Sequence, residues 1–195
     1  MTELCKLAEE YGVDKCPKIL HSYTPKYHEF LNPIRNNITT FIEIGIGNAP
    51  LMCPIVGSQY KPGASLRMWR DYFKNANIIG CDILSNVLFS ENRITTYQVD
   101  QSNENSLLSF ANIFKNADII LDDGSHIKEH MELSFNTLWK YINVNGLYII
   151  EDIKLHELAD FEQLPAKFGF NNAKLIQSHK GTTNWDSFVV FKKMN

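Results

Sequence analysis

From residue 39 onward the chain alternates two patterns: short apolar runs that end at a glycine or a carboxylate, and longer stretches with apolar residues at helical spacing. Before that point, Leu4, Leu7, Ala8 and Tyr11 predict a helix over 2–11 that stops at Gly12. A loop containing Pro17 leads to a second helix predicted from Pro25 or Lys26. TTFIEIGI (39–46) is rich in β-branched residues and breaks at Gly45 and Gly47, the pattern of a buried parallel strand running into a tight turn. Residues 48–62 carry Pro50, Pro54, Gly57 and Pro62, too many breakers for a regular element, so an irregular insertion is expected. SLRMWRDYFKN (65–75) puts Leu66, Trp69, Tyr72 and Phe73 on one helical face.

The alternation then repeats. Strands are predicted at 77–83, 93–99, 118–121 and 146–150, and helices at 106–114 and from 126 or 127 to 141. After a helix near 157–168, strands at 174–178 and 185–192 flank the polar break GTTN and predict a hairpin. This order specifies an α/β fold: a Rossmann-like, doubly wound, mostly parallel sheet covered by helices on both faces, with an antiparallel edge at the C-terminal end. Residues 1–38 are expected to form a helical cap segment of the same domain, and 39–195 the ligand-binding domain.

Charge narrows the partners. The net charge of -3 comes from interspersed acidic and basic residues, with no basic stripe for nucleic acid or an anionic membrane. A small-molecule partner is expected. Cys5, Cys16, Cys53 and Cys81 form neither a CxxC pair nor a zinc-like spacing with histidine, which suggests reduced thiols. No apolar run approaches the ~20 residues of a membrane span and the N-terminus does not read as a leader, so a soluble, cytoplasmic protein is expected.

Chemistry gathers at the strand ends. Gly45 and Gly47 let backbone approach a ligand closely, or simply make a turn. The full GxGxxG is missing and no helix is predicted directly behind it, which argues against a nicotinamide dinucleotide. Asp82 suits a ribose diol, or a cap; Asp100 with Gln101 suits an adenine edge. Asp122 and Asp123 follow one strand and Glu151 and Asp152 the next. Carboxylates brought to one edge repel unless a cation is present, so Asp123, Glu151 and Asp152 are candidate ligands of Mg2+. His126 is a candidate general base beside that metal, and Ser125 a candidate helix cap. Trp69, Trp139 and Phe135 are expected in the core, whereas Trp185 could wall a substrate pocket.

The motifs DK...HSY...Y, FIEIGIG, GASLRMWRDYF, IIGCDI, VDQS, ADIILDDGSH and GLYIIEDI occur in an order that resembles class I S-adenosylmethionine-dependent methyltransferases, in particular the macrolide-sugar O-methyltransferases of mycinamicin and tylosin type, with cephalosporin-hydroxylase-like relatives. DDGSH followed by IED is the most specific part. The resemblance implies a seven-stranded sheet that binds S-adenosylmethionine through Glu43, Gly45, Gly47, Asp82, Asp100, Gln101 and Asp122, with Tyr23 and Tyr27 closing over donor or substrate. It implies magnesium on Asp123, Glu151 and Asp152, His126 as the base, and a sugar or glycoside as acceptor. Two departures are that the long N-terminal auxiliary domain of the mycinamicin member has no counterpart in this sequence, and that GIGNAP replaces the usual glycine-rich continuation. Substrate identity and quaternary structure, including any homo-oligomer, therefore do not carry over. Rival readings are a catalytically silent donor-binding protein and a hydroxylase-like oxidative enzyme; the latter lacks an obvious two-histidine, one-carboxylate set.

Overall fold

The computed structural model describes residues 1–195. They form two compact units, Met1–Phe41 with Ile46–Gln98, and Ile42–Gly45 with Val99–Asn195.

The first unit begins with α1 (Glu3–Tyr11), where the Thr2 hydroxyl accepts from the Cys5 N–H at 3.1 Å and Gly12 ends the helix at φ 65°. α2 (Tyr23–Leu31) starts two residues before Pro25, which therefore sits in the first turn, where its missing N–H costs nothing. β1 (Thr40–Ile44) starts in this unit and runs into the second. The stretch expected to be irregular contains α3 (Ala49–Val56). Asn48 caps it by accepting from the Leu51 N–H at 3.0 Å, Pro50 lies in the first turn, and Gly57 ends it. None of its eight residues is buried. α4 (Ala64–Tyr72) buries Leu66, Met68, Trp69 and Tyr72, and its Trp69 ring packs 5.0 Å from Phe41 and 6.2 Å from Tyr27. β2 (Asn77–Asp82) is followed by a two-residue strand β3 (Ser90–Glu91) and by β4 (Ile94–Gln98); β4 pairs parallel with β2 and antiparallel with β3.

The second unit contains α5 (Glu104–Phe114), β5 (Ala117–Asp122), α6 (Lys128–Leu138) and β6 (Ile142–Ile153). The predicted late helix is two short pieces, α7 (Leu158–Glu162) and α8 (Leu164–Lys167), broken at Gln163 ahead of Pro165. β7 (Ala173–His179) and β8 (Ser187–Lys193) form the hairpin. β5 pairs parallel with β6, and β8 returns antiparallel beside it. Leu147 to Glu151 of β6 are all buried, the near-continuous run of a strand covered on both faces. Phe135 of α6 seals one of those faces, 5.2 Å from Tyr148 and 5.1 Å from Phe191.

The strands hydrogen-bond in the order β3-β4-β2-β1-β5-β6-β8-β7, an eight-stranded, mostly parallel sheet with antiparallel C-terminal strands. The short edge strand β3 is the addition to the seven expected. No helix is long and apolar enough to cross a membrane.

Candidate active site

The parallel strands β5 and β6 end in carboxylates, and the backbone beyond each is sharply bent. Asp122 is the last residue of β5; the Asp123 N–H donates to the Ile44 carbonyl at 2.9 Å, so the turn stays pinned to β1. Gly45 makes that possible. At φ 96°, a Cβ there would lie 2.0 Å from the Asp123 carbonyl oxygen, a backbone clash that no rotamer relieves. The sequence suggests a glycine for ligand approach or for a turn; one contact this glycine admits is the backbone of the turn after β5.

The far side of the turn is held by Gln101, only 7% exposed. Its Nε2 donates to Asp122 Oδ1 and Oδ2 at 2.7 and 2.8 Å, and its Oε1 accepts the Ser125 N–H at 2.9 Å. A Cβ on Gly124 would stand 2.4 Å from that same Oε1. Asp122 is fully buried, and burial pushes its carboxyl up to about 7 against the pull of the Gln101 amide and the Gly124 N–H. Ser125 does not cap α6, which starts behind Ile127 without a side-chain cap. Its hydroxyl lies 3.0 Å from His130 Nδ1 and only 3.4 Å from the Ile127 N–H. The turn continues two residues beyond the position where a cap would sit.

His126 and Asp152 both occupy the left-handed backbone region, at φ 54° and 51°. Such conformations cost non-glycine residues of order 1–3 kcal/mol each and gather at functional sites. Here they bring His126 Nε2 to 4.0 Å from Asp123 Oδ1 and 3.8 Å from Asp152 Oδ2. One ligand-capable atom from each of Asp123, His126 and Asp152 falls within 4.8 Å of the others. Two carboxylates and an imidazole so close fit a divalent cation, and all three are partly solvent-exposed, which leaves room for water or substrate. Glu151 is fully buried and is not a member of this group. His126 Nδ1 is buried with no hydrogen-bond partner.

The other expected residues are placed as follows. In the second unit, Glu43 is fully buried on β1. Asp100 Oδ1 accepts from the Ser102 N–H and hydroxyl at 2.9 and 2.6 Å, which lowers the Asp100 pKa. In the first unit, Asp82 accepts the Ile46 N–H on Oδ2 and the Leu84 N–H on Oδ1, both at 2.9 Å, so it fixes the turn after β1 as well as ending β2. Gly47 has φ 75°, and a Cβ there would lie 2.4 Å from the Tyr60 hydroxyl, which donates to the Ile46 carbonyl. Tyr23 and Tyr27 are completely buried; Tyr23 stacks on His21 at 4.8 Å. Sequence reasoning missed the Gln101 clamp and the contact of His130 with Ser125. The amide in VDQS was the available signal for the first.

Comparison with known proteins agrees with this frame. No protein-family model matches the chain. A Streptomyces olivaceus protein, 8-demethyl-8-alpha-L-rhamnosyl tetracenomycin-C 2'-O-methyltransferase, is 38% identical over 151 residues, covering 77% of this chain and 38% of its own. Demethylmacrocin O-methyltransferase of Streptomyces fradiae is 39% identical over 136 residues, 69% of this chain and 32% of that one. The structure of the MycE methyltransferase of mycinamycin biosynthesis, solved with Mg, SAH and mycinamycin VI, superposes at a TM-score of 0.77 with 28% identity, covering 100% of this chain and 55% of that one. The chain belongs to the class I S-adenosylmethionine-dependent methyltransferase family, related to the macrolide- and glycoside-sugar O-methyltransferases. It spans about a third of the length of these curated relatives of the family.

Proposed function

We propose that the protein transfers a methyl group from S-adenosylmethionine to a hydroxyl of a sugar carried by a glycosylated small molecule, assisted by magnesium. The observation that carries this reading is the convergence of Asp123, His126 and Asp152 at the ends of β5 and β6. The family relationship supports it, because relatives are named for O-methylation of a rhamnosyl tetracenomycin and of demethylmacrocin and one was solved with Mg, SAH and mycinamycin VI.

Asp123 and Asp152, with Glu151 beside them, would hold the magnesium ion, which when bound acidifies a coordinated hydroxyl. His126 receives the hydroxyl proton on Nε2, the nitrogen that faces the carboxylates. The acceptor oxygen then forms its bond to the methyl carbon as the carbon–sulfur bond breaks, and the electron pair stays on sulfur to give the neutral thioether. The donor is already activated, so most of the protein's work is alignment, for which good positioning can supply ~7–11 kcal/mol. For the donor, the reading assigns Asp82 to the ribose and Asp100 to the adenine side, and counts Glu43, Gly45, Gly47, Asp122, Tyr23 and Tyr27 among the donor-binding residues. Gln101 belongs to the same set through the turn that it holds.

The experiment is incubation with S-adenosylmethionine, magnesium and a set of deoxysugar glycosides, followed by mass measurement. One added methyl group on a sugar is expected. Donor turnover on none of them, with the donor bound, would favour the silent donor-binding alternative.

A further inference from the structure

Of the three tryptophans, Trp69 and Trp139 are 0% and 2% exposed, whereas Trp185 is 43% exposed. Its exposure is built into the hairpin. The preceding turn is closed by the Gly181 N–H donating to Ser187 Oγ at 3.2 Å and the Thr182 N–H reaching Asp186 Oδ2 at 3.5 Å. A Cβ on Gly181 would lie 1.7 Å from the Asp186 carbonyl, and Asp186 is itself buried. Across the strand pair, Ser187 is in register with Ile153, and the pairing runs on to the Leu155 N–H, which donates to the Asn184 carbonyl at 2.9 Å. Trp185 is therefore carried at the same end of β6 as Asp152, and the Lys154 ammonium stands 4.8 Å from its ring centroid. Lys154 is two residues past Asp152, a span of roughly 7 Å in extended chain.

We propose that Trp185 is the acceptor platform: a pyranoside ring stacks its C–H face on the indole while a ring hydroxyl points to the Asp123–His126–Asp152 cluster. An indole face carries partial negative charge and receives the weakly positive C–H bonds of a sugar, and Lys154 holds the ring in place from Nζ. A wide apolar surface with a polar rim also tolerates different sugars, while the cluster selects which hydroxyl reacts. This rests on the sugar O-methyltransferase reading.

The test uses methyl α-L-rhamnopyranoside and mycinamicin VI as probes, without donor, and acrylamide quenching of tryptophan fluorescence. Only Trp185 is open to the quencher, so a bound glycoside is expected to protect the emission, and the protection disappears in Trp185→Phe. In turnover, Trp185→Ala is expected to raise the acceptor KM by roughly tenfold with kcat and donor affinity nearly unchanged, and Trp185→Phe to recover most of the loss. The platform is overturned if neither probe alters quenching, or if Trp185→Ala methylates an acceptor glycoside with unchanged KM. Protection without any methyl transfer would sink the catalytic reading and leave the platform standing.

Discussion

His126 Nε2 lies 3.8 Å from Asp152 Oδ2, and each of the two residues is held at a positive φ. The pair is thus set by backbone as much as by side chain. Replacing His126 with alanine removes the proposed proton acceptor and leaves the proposed donor-binding residues intact. Its kcat is expected to fall roughly 100- to 10,000-fold, with donor affinity measured by calorimetry almost unchanged. Unaltered turnover would remove His126 from the mechanism.

The left-handed backbone at Asp152 predicts an order among substitutions. Asp152→Gly and Asp152→Asn suit φ 51° and should keep or slightly raise the thermal midpoint while magnesium binding is lost. Asp152→Val should lose about 1–3 kcal/mol as well, because a β-branched side chain is poorly tolerated there. Equal midpoints for Gly and Val would mean that Asp152 is not held in that conformation.

Gly45 and Gln101 hold the turn after β5 from two sides. Gly45→Ala drives a Cβ into the Asp123 backbone and should cost more than about 2 kcal/mol in urea unfolding. Gln101→Ala leaves the Ser125 N–H and the buried Asp122 carboxyl without their partner, for a loss of about 1–3 kcal/mol. Its kcat should fall as the turn loosens. A Gln101→Ala protein that weakens donor binding alone, at full stability and kcat, would instead make the residue a donor contact.

Tyr72 gives a pH signature outside the site. Burial raises its phenol from 10.0 to about 12, and the hydroxyl lies 3.1 Å from His28 Nδ1. Because the folded pKa is the higher one, the neutral phenol stabilises the fold fully below pH 10, and that contribution is lost as pH rises through 12. It amounts to roughly 2–3 kcal/mol. Urea midpoints should drop across that window, and Tyr72→Phe should flatten the drop.

The alternating pattern made most strands and their carboxylate ends legible, since strands buried on both faces leave continuous apolar runs such as GLYII. α3 is hard to see in the sequence because Pro50 and Pro54 both read as breakers. Pro50 is in the first turn, and Pro54 follows it by four residues, so the one N–H it lacks would have reached back to that turn. For the site, DDGSH and IED named the residues that stand at the strand ends, and His126, Asp123 and Asp152 do come together. Left-handed conformation at a histidine and an aspartate has only a weak sequence signal, since both residue types enter that region more often than most side chains yet still rarely. Nor does local sequence reveal that Gly45 serves Asp123, a residue 78 positions away by numbering.

The two left-handed residues also bear on protein engineering. Copying Asp123, His126 and Asp152 onto an ideal strand–helix scaffold would reproduce the side-chain inventory with the wrong vectors, because ordinary backbone aims those side chains elsewhere. A successful graft has to import the bent connections after β5 and β6 together with the glycine and glutamine that hold one of them in place.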